Sequence, residues 1–206
     1  MKSIKALSVI FTILLLAQSG YSQNCTLTCP DNLVVSATAG QEGAVVNYPA
    51  MASPSGCGAL TYTPASGSFM RLGSHSVIIT TTSGQKCSFT VTVTDNEPPV
   101  VSPITLSRNV LWPVSDKMKK VGVYYTVSDN GEAVKTTVTV TSNAPAGEAP
   151  DFEVIDKEEI RLKASRLPDG SPRIYTITVT AVDDAGNKTT RTTTIAVSKT
   201  MIATAN

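Results

Sequence analysis

The sequence predicts an all-β chain built as two sandwiches in tandem. Three observations carry this. Thr is the most abundant residue, with Val and Ser behind it, a composition suited to pleated, half-buried surfaces. Short runs of alternating β-formers recur along the chain, broken by Gly, Pro, Ser, Asn and Asp, and helical periodicity is almost absent. The segment Asp95-Asn96-Glu97-Pro98-Pro99 stops the pattern near the middle of a 206-residue chain, which has room for two domains of about 90 residues.

In the first half, strands are expected at Leu33–Ala37, Ala44–Tyr48, Leu60–Thr63, Ser76–Thr82 and Ser88–Thr94. The last two are joined by the turn residues Ser83-Gly84-Gln85. In the final strand Phe89, Val91 and Val93 should face in and the threonines out. Two consecutive prolines, Pro98 and Pro99, then remove ladder donors and stiffen the chain, which marks the domain boundary. In the second half, strands are expected at Val110–Trp112, Lys119–Val127, Ala133–Thr141, Phe152–Ile155, Ile160–Ala164, Arg173–Val182 and Lys188–Val197. About seven short strands in about 100 residues is the signature of an immunoglobulin-like sandwich. Both halves end in a Thr-rich hairpin; the second turns at Asp183-Asp184-Ala185-Gly186-Asn187.

The first 22 residues read as a secretory signal rather than as structure. Lys2 and Lys5 precede the apolar run Ala6 to Ala17, and the small residues Gly20 and Ser22 suit cleavage before Gln23. The run is short for a bilayer span. Cys25 does not directly follow small residues, so a lipid anchor is not expected. The expected organisation is a signal over 1–22, a first domain over 23–97, a proline linker over 98–100, a second domain over 101–199 and a tail over 200–206. No membrane span is expected after signal removal.

Composition excludes several functions. Lys plus Arg number 17 against 16 Asp plus Glu, and charged residues are 16% of the chain. A near-neutral chain has no basic field for a phosphate backbone, so no nucleic-acid partner is expected. The same balance excludes acidic disorder. Loss of Lys2 and Lys5 on export tips the mature chain from slightly basic to slightly acidic.

Export also decides how the four cysteines read. Cys25, Cys29, Cys57 and Cys87 all fall in the first half of the mature chain. An even number in an oxidising compartment implies two disulfides. Cys25 and Cys29 have a ligand-like spacing for zinc, but Cys57 and Cys87 stand alone, so metal is the lesser reading. In an immunoglobulin-like sandwich the start of the first strand, the loop after the second and the start of the last strand share one pole. All four thiols should therefore converge there. Four cysteines allow three connectivities, which spacing cannot separate. The pairing favoured is Cys29–Cys87, leaving Cys25–Cys57.

Cys29-Pro30-Asp31-Asn32-Leu33-Val34-Val35, Gly43-Ala44-Val45-Val46-Asn47-Tyr48-Pro49, Gly56-Cys57-Gly58, Leu72-Gly73-Ser74-His75-Ser76-Val77 and Cys87-Ser88-Phe89-Thr90-Val91-Thr92-Val93-Thr94-Asp95 occur in order, followed by Glu97-Pro98-Pro99. Over Cys29 to Pro99 the chain resembles the hyalin repeat (HYR) module, an extracellular immunoglobulin-like domain. Glu42 stands where many bacterial members carry a Cys, so Cys25 is read as the fourth thiol. The second half looks like the immunoglobulin-like unit that often accompanies such repeats, on Leu111-Trp112-Pro113, the strand Arg173 to Ala181, and Asp184-Ala185-Gly186-Asn187. The resemblance implies an extracellular adhesion, spacer or protein-interaction role, with no catalytic residues.

The candidate sites are few. His75 is the only imidazole, no Ser is singled out as its nucleophile, and no hydrolase, zincin or phosphate-loop motif occurs. Paired acids such as Glu158 with Glu159 lack the aromatics of a sugar cleft. Trp112 reads as a core or strand-edge residue rather than a stacking platform. The acidic turns offer more. Asp95, Asn96 and Glu97 at the boundary, with Asp129, Asp183 and Asp184 in second-domain loops, are candidate calcium ligands, because oxygens from a linker and adjacent loops can hold Ca²⁺ between tandem modules. The competing reading is that Asp and Asn simply make turns.

The expected function is a secreted, non-enzymatic module for adhesion or protein–protein interaction, with an extracellular protein or surface glycan as partner and no cofactor unless calcium. The alternatives are a structural spacer or fragment of a larger surface assembly, and a carbohydrate-binding accessory domain.

Overall fold

The computed structural model describes residues 25–48, 51, 53–131, 133–145 and 150–200. The expected signal segment and the tail beyond residue 200 lie outside the described residues. Among the described residues every regular element is a strand, and they form two immunoglobulin-like sandwiches.

The first sandwich contains β1 (Leu33–Ser36), β2 (Gly43–Val46), β3 (Leu60–Thr63), β4 (Ser68–Arg71), β5 (Gly73–Thr81) and β6 (Lys86–Thr94). One sheet has the order β1-β6-β5-β3, with β1 parallel to β6. Facing it, β2 pairs antiparallel with β4. The alternation of β6 buries Phe89, Val91 and Val93, which meet Val77 and Ile79 of β5 and Ala44, Val46 and Met70 from the facing sheet. Tyr48 closes this core, stacked on Tyr62 at 5.7 Å and edge-on to Phe89 at 5.6 Å.

The second sandwich contains β7 (Val100–Val101), β8 (Thr105–Leu106), β9 (Val110–Leu111), β10 (Met118–Tyr124), β11 (Val127–Ser128), β12 (Val134–Ser142), β13 (Phe152–Val154), β14 (Glu159–Lys163), β15 (Ile174–Asp183) and β16 (Lys188–Val197). Its sheets are β12-β15-β16-β9 and β13-β14-β10-β8, with a small β7–β11 pair. The parallel pairing of β9 with β16 repeats that of β1 with β6. Ile177, Val179 and Ala181 of β15 pack against Val121, Val123, Ile160 and Leu162 of the opposite sheet.

Several elements differ from the sequence reading. β4 is an added strand, because its single buried residue, Met70, gives almost no alternation to read. Lys119–Val127 divides into β10 and β11. The inward phase continues through Tyr125 to Val127, but the backbone changes partner from β14 and β8 to β7. Val100, read as the end of the linker, stands in β7, and Val101 beside it is buried in the second core. His75 lies within β5 rather than in a loop before it.

Both terminal hairpins close alike. The Thr81 amide donates to the Gln85 carbonyl at 3.0 Å, and the Asp183 amide to the Asn187 carbonyl at 3.1 Å. Gly84 and Gly186 supply the left-handed residue, at φ 91° and 92°. In each, the first side chain accepts the last amide: Thr81 Oγ1 from Gln85 at 2.9 Å, Asp183 Oδ1 from Asn187 at 2.8 Å. The same turn thus presents a hydroxyl in one sandwich and a carboxylate in the other.

Candidate functional site at the junction

The segment leaving β6 is extended and lies between the two sandwiches. Asn96 Nδ2 donates to Ser36 Oγ at 2.7 Å, and the Glu97 carboxylate accepts the Gly40 amide at 2.7 Å, so both residues fasten the segment to the first sandwich. From the second sandwich, Asn187 Nδ2 reaches the Asp95 carbonyl at 3.3 Å. Asn130 Nδ2 reaches the Gln41 carbonyl, also at 3.3 Å. The junction is therefore held by side-chain amides from both directions.

Around these contacts three carboxylates meet. Asp95 comes from the linker, Asp129 from the loop between β11 and β12, and Asp183 from the end of β15. One oxygen of each lies within 4.8 Å of the others. Asp183 is buried and is held by both the backbone and side-chain amides of Asn187. Asp129 Oδ2 accepts the Gly131 amide at 3.1 Å, and Asp95 Oδ1 accepts the Glu97 amide at 3.0 Å. Burial pushes the Asp129 carboxyl above its ordinary range; the Gly131 amide opposes this, and the charges of Asp95 and Asp183 add to it. Among the described residues none of the three forms an ion pair. Three like charges at this distance repel by on the order of 1 kcal/mol per pair even with bulk-water screening.

Two further observations bear on whether these residues fit a cation. The Oδ1 of Asn130, beside Asp129, is buried without a hydrogen-bond partner among the described residues. Gly131 leaves room for the cluster: a Cβ there would stand 3.1 Å from Asp129 Oδ2 and 3.4 Å from Asp95 Oδ2. The donors are all oxygens, the set a hard divalent ion such as Ca²⁺ prefers. An open cleft of about 720 Å³ runs beside the cluster, between Glu42, Arg71 and Leu72 of the first sandwich and Asp129, Asp183 and Asp184 of the second.

Of the six expected calcium ligands the structure brings together Asp95, Asp129 and Asp183. Glu97 is not in the cluster, and its carboxylate accepts the Gly40 amide of the first sandwich; Asn96 is fastened to the same sandwich through its Nδ2 on Ser36 Oγ. Asp184 is exposed on the cleft rim, one residue past the point where the turn folds Asp183 back onto Asn187. Sequence reasoning did not single out Gly131 or the amide of Asn187; the Asp-x-x-Gly-Asn turn spacing is the signal that would have found the latter.

The opposite pole of the first sandwich holds the cysteines. Cys25 is bonded to Cys57 and Cys29 to Cys87, with Cα separations of 4.6 and 5.8 Å. His75 Nε2 donates to the Arg71 carbonyl at 2.7 Å, and Trp112 is partly exposed just past β9. Neither gathers other reactive groups. Among the described residues no helix is long and apolar enough to cross a membrane.

No protein-family model and no curated protein matches the chain. Solved structures that are similar include protocadherin extracellular domains. Domains 3-6 of protocadherin gamma B2 match at TM-score 0.36 and 14% identity, over 82% of this chain and 46% of that one. Domains 1-4 of protocadherin gamma B7 match at TM-score 0.30 and 15% identity, over 65% and 35%. The chain spans about a third to a half of the length of these structures. At such scores the likeness adds nothing to the sheet order given above, and the chain stands as a tandem of two immunoglobulin-like sandwiches.

Proposed function

We propose that the chain is an extracellular, non-enzymatic interaction module of the adhesion type, whose two sandwiches are set in a fixed relation by calcium at their junction. The observation that carries this reading is the convergence of Asp95, Asp129 and Asp183 from three separate segments within 4.8 Å. Turn-making alone accounts for each Asp in its own loop, but not for their meeting. A Ca²⁺ ion bound there by these carboxylates, with Asn130 Oδ1 at hand, would neutralise their repulsion and join linker to loops. The hyalin-repeat resemblance of residues 29–99 and the two disulfides support an extracellular setting. The partner is an extracellular protein or a surface glycan.

Calorimetric titration of the chelator-treated protein with Ca²⁺ tests the junction. One site is expected, with a rise in Tm on saturation, and Asp183→Asn should weaken binding at least tenfold. An unchanged Tm in millimolar calcium and in chelator would remove calcium from the reading. Capture of a single extracellular protein or glycan on the immobilised chain supports the interaction role. The spacer alternative rests on the same junction and is favoured if the calcium site is found and no partner is captured.

A further inference from the structure

The edges of these sheets are short, with one exception. β8 and β9 are two residues long, β13 is three, and β1, β2, β3 and β4 are four each. β12 is nine residues long, lies at the edge of its sheet beside β15, and runs without a Pro, a Gly or a bulge. Its one charge is Lys135. Sheet proteins ordinarily blunt such an edge with charge, Pro or a bulge, because its unpaired backbone groups are a template for another strand.

The ladder with β15 shows which groups are unpaired. Asn143 donates its amide to the Ile174 carbonyl in register with the pairing of β12 and β15. In an antiparallel pair, bonded and non-bonded residue pairs alternate. Lys135, Thr137, Thr139 and Thr141 therefore bond to β15, and Val134, Thr136, Val138, Val140 and Ser142 direct their amides and carbonyls outward. The side chains of Val138 and Val140 are buried in the core, while Thr137, Thr139 and Thr141 are exposed on the outer face. β13 lies near β12 across the sandwich and Ser142 Oγ donates to Asp151 Oδ2 just before it, but among the described residues β13 shares no ladder with β12.

We propose that β12 pairs antiparallel with β12 of a second copy of this chain, about a two-fold axis through Val138. The occupant is fixed by self-complementarity. An axis at Val138 aligns the whole strand and sets outward-bonding residues against each other: Val138 against the partner's Val138, and Thr136 against the partner's Val140. These central pairs alone exchange about six backbone hydrogen bonds. The register places Lys135 opposite the partner's Thr141, so no like charges meet, and Thr137 opposite the partner's Thr139, a hydroxyl pair of the kind that stabilises sheets. The two four-stranded sheets become one continuous sheet, an isologous arrangement that closes at the dimer.

The test uses exposed threonines that pack against nothing in the core. Sedimentation velocity of the full mature chain should show a dimer, in calcium and in chelator alike, which separates this inference from the junction reading. The doubles Thr137→Lys/Thr139→Lys and Thr137→Glu/Thr139→Glu place like charges opposite one another across the axis, so each should weaken self-association at least tenfold. Mixing the two variants should restore a dimer, since each Lys then faces a Glu. Unchanged circular dichroism melts confirm that both variants are folded. A wild-type chain that stays monomeric at high concentration overturns the proposal, as does a dimer that both variants leave intact, or a mixture that stays monomeric.

Discussion

Asp151 and Arg173 form a buried ion pair in the second sandwich, and Arg173 Nε also donates to the Ser165 carbonyl at 3.1 Å. The Tyr175 hydroxyl bonds the carbonyls of Asp151 at 3.0 Å and Lys163 at 2.8 Å, and burial holds that phenol well above its ordinary range. These groups fix where the chain re-enters β13 and β15. The Asp151 carboxylate accepts from both the Arg173 guanidinium and the Ser142 hydroxyl, so Asp151→Ala removes buried charge-assisted bonds and should cost about 1.5–3 kcal/mol in urea unfolding. Replacing both by apolar residues of similar volume should cost much less, and a double-mutant cycle measures the difference. At Gly131 the expected effect is different in kind. Gly131→Ala places a Cβ 3.1 Å from Asp129 Oδ2, so that carboxylate must give by a few tenths of an ångström; the substitution should leave the melt in chelator nearly unchanged while reducing the gain in Tm on adding calcium.

At the scale of elements, the two disulfides close loops of different length in the first sandwich. Cys29–Cys87 closes a loop with sequence separation 58 and Cys25–Cys57 one of 32. Each should contribute roughly 2–4 kcal/mol, with the longer loop contributing about 0.5 kcal/mol more on chain entropy alone. Comparing Cys29→Ser/Cys87→Ser with Cys25→Ser/Cys57→Ser by denaturant unfolding reads this directly. The long strands were legible in the sequence because their burial alternates: β6, β15 and β16 follow from Phe89, Val91, Val93, Ile177, Val179, Ile195 and Val197. The short strands were not. β7 and β8 have two residues each and are defined by partners far along the chain, so no local period marks them. The candidate site was legible only in its chemistry. Residue types put acids at the boundary and in two loops, but which acids meet depends on how the linker is turned, and Asn96 and Glu97 are turned toward the first sandwich.

Across the whole molecule the two sandwiches solve one problem in two ways. In each, the segment entering the fold, the loop before the third strand of the sheet and the end of the terminal hairpin gather at the same pole. In the first sandwich Cys25 and Cys29 of the entering segment are bonded to Cys57 in the loop and Cys87 beyond the hairpin. In the second, the entering segment carries Asp95, the loop Asp129 and the start of the hairpin turn Asp183, where the first sandwich has Thr81. One pole is tied covalently; at the other, on the calcium reading proposed above, the tie would be a cation and would be reversible by chelation. Small-angle scattering of the mature chain should therefore show a broader distribution of shapes in chelator than in calcium, while reduction of the disulfides should act on the stability of the first sandwich alone.

The bond between Cys29 and Cys87 has a mechanical consequence. If the chain is pulled from its two ends, tension that enters at Cys29 crosses the sulfurs to Cys87 and runs out along β6 to the linker. The residues between the two cysteines carry no load and cannot be paid out. The second sandwich has no such shortcut: its first three strands, β7, β8 and β9, are tied to β11, β10 and β16 by two-residue pairings. Under stretch the second sandwich should give way first, leaving the first as a short inextensible link.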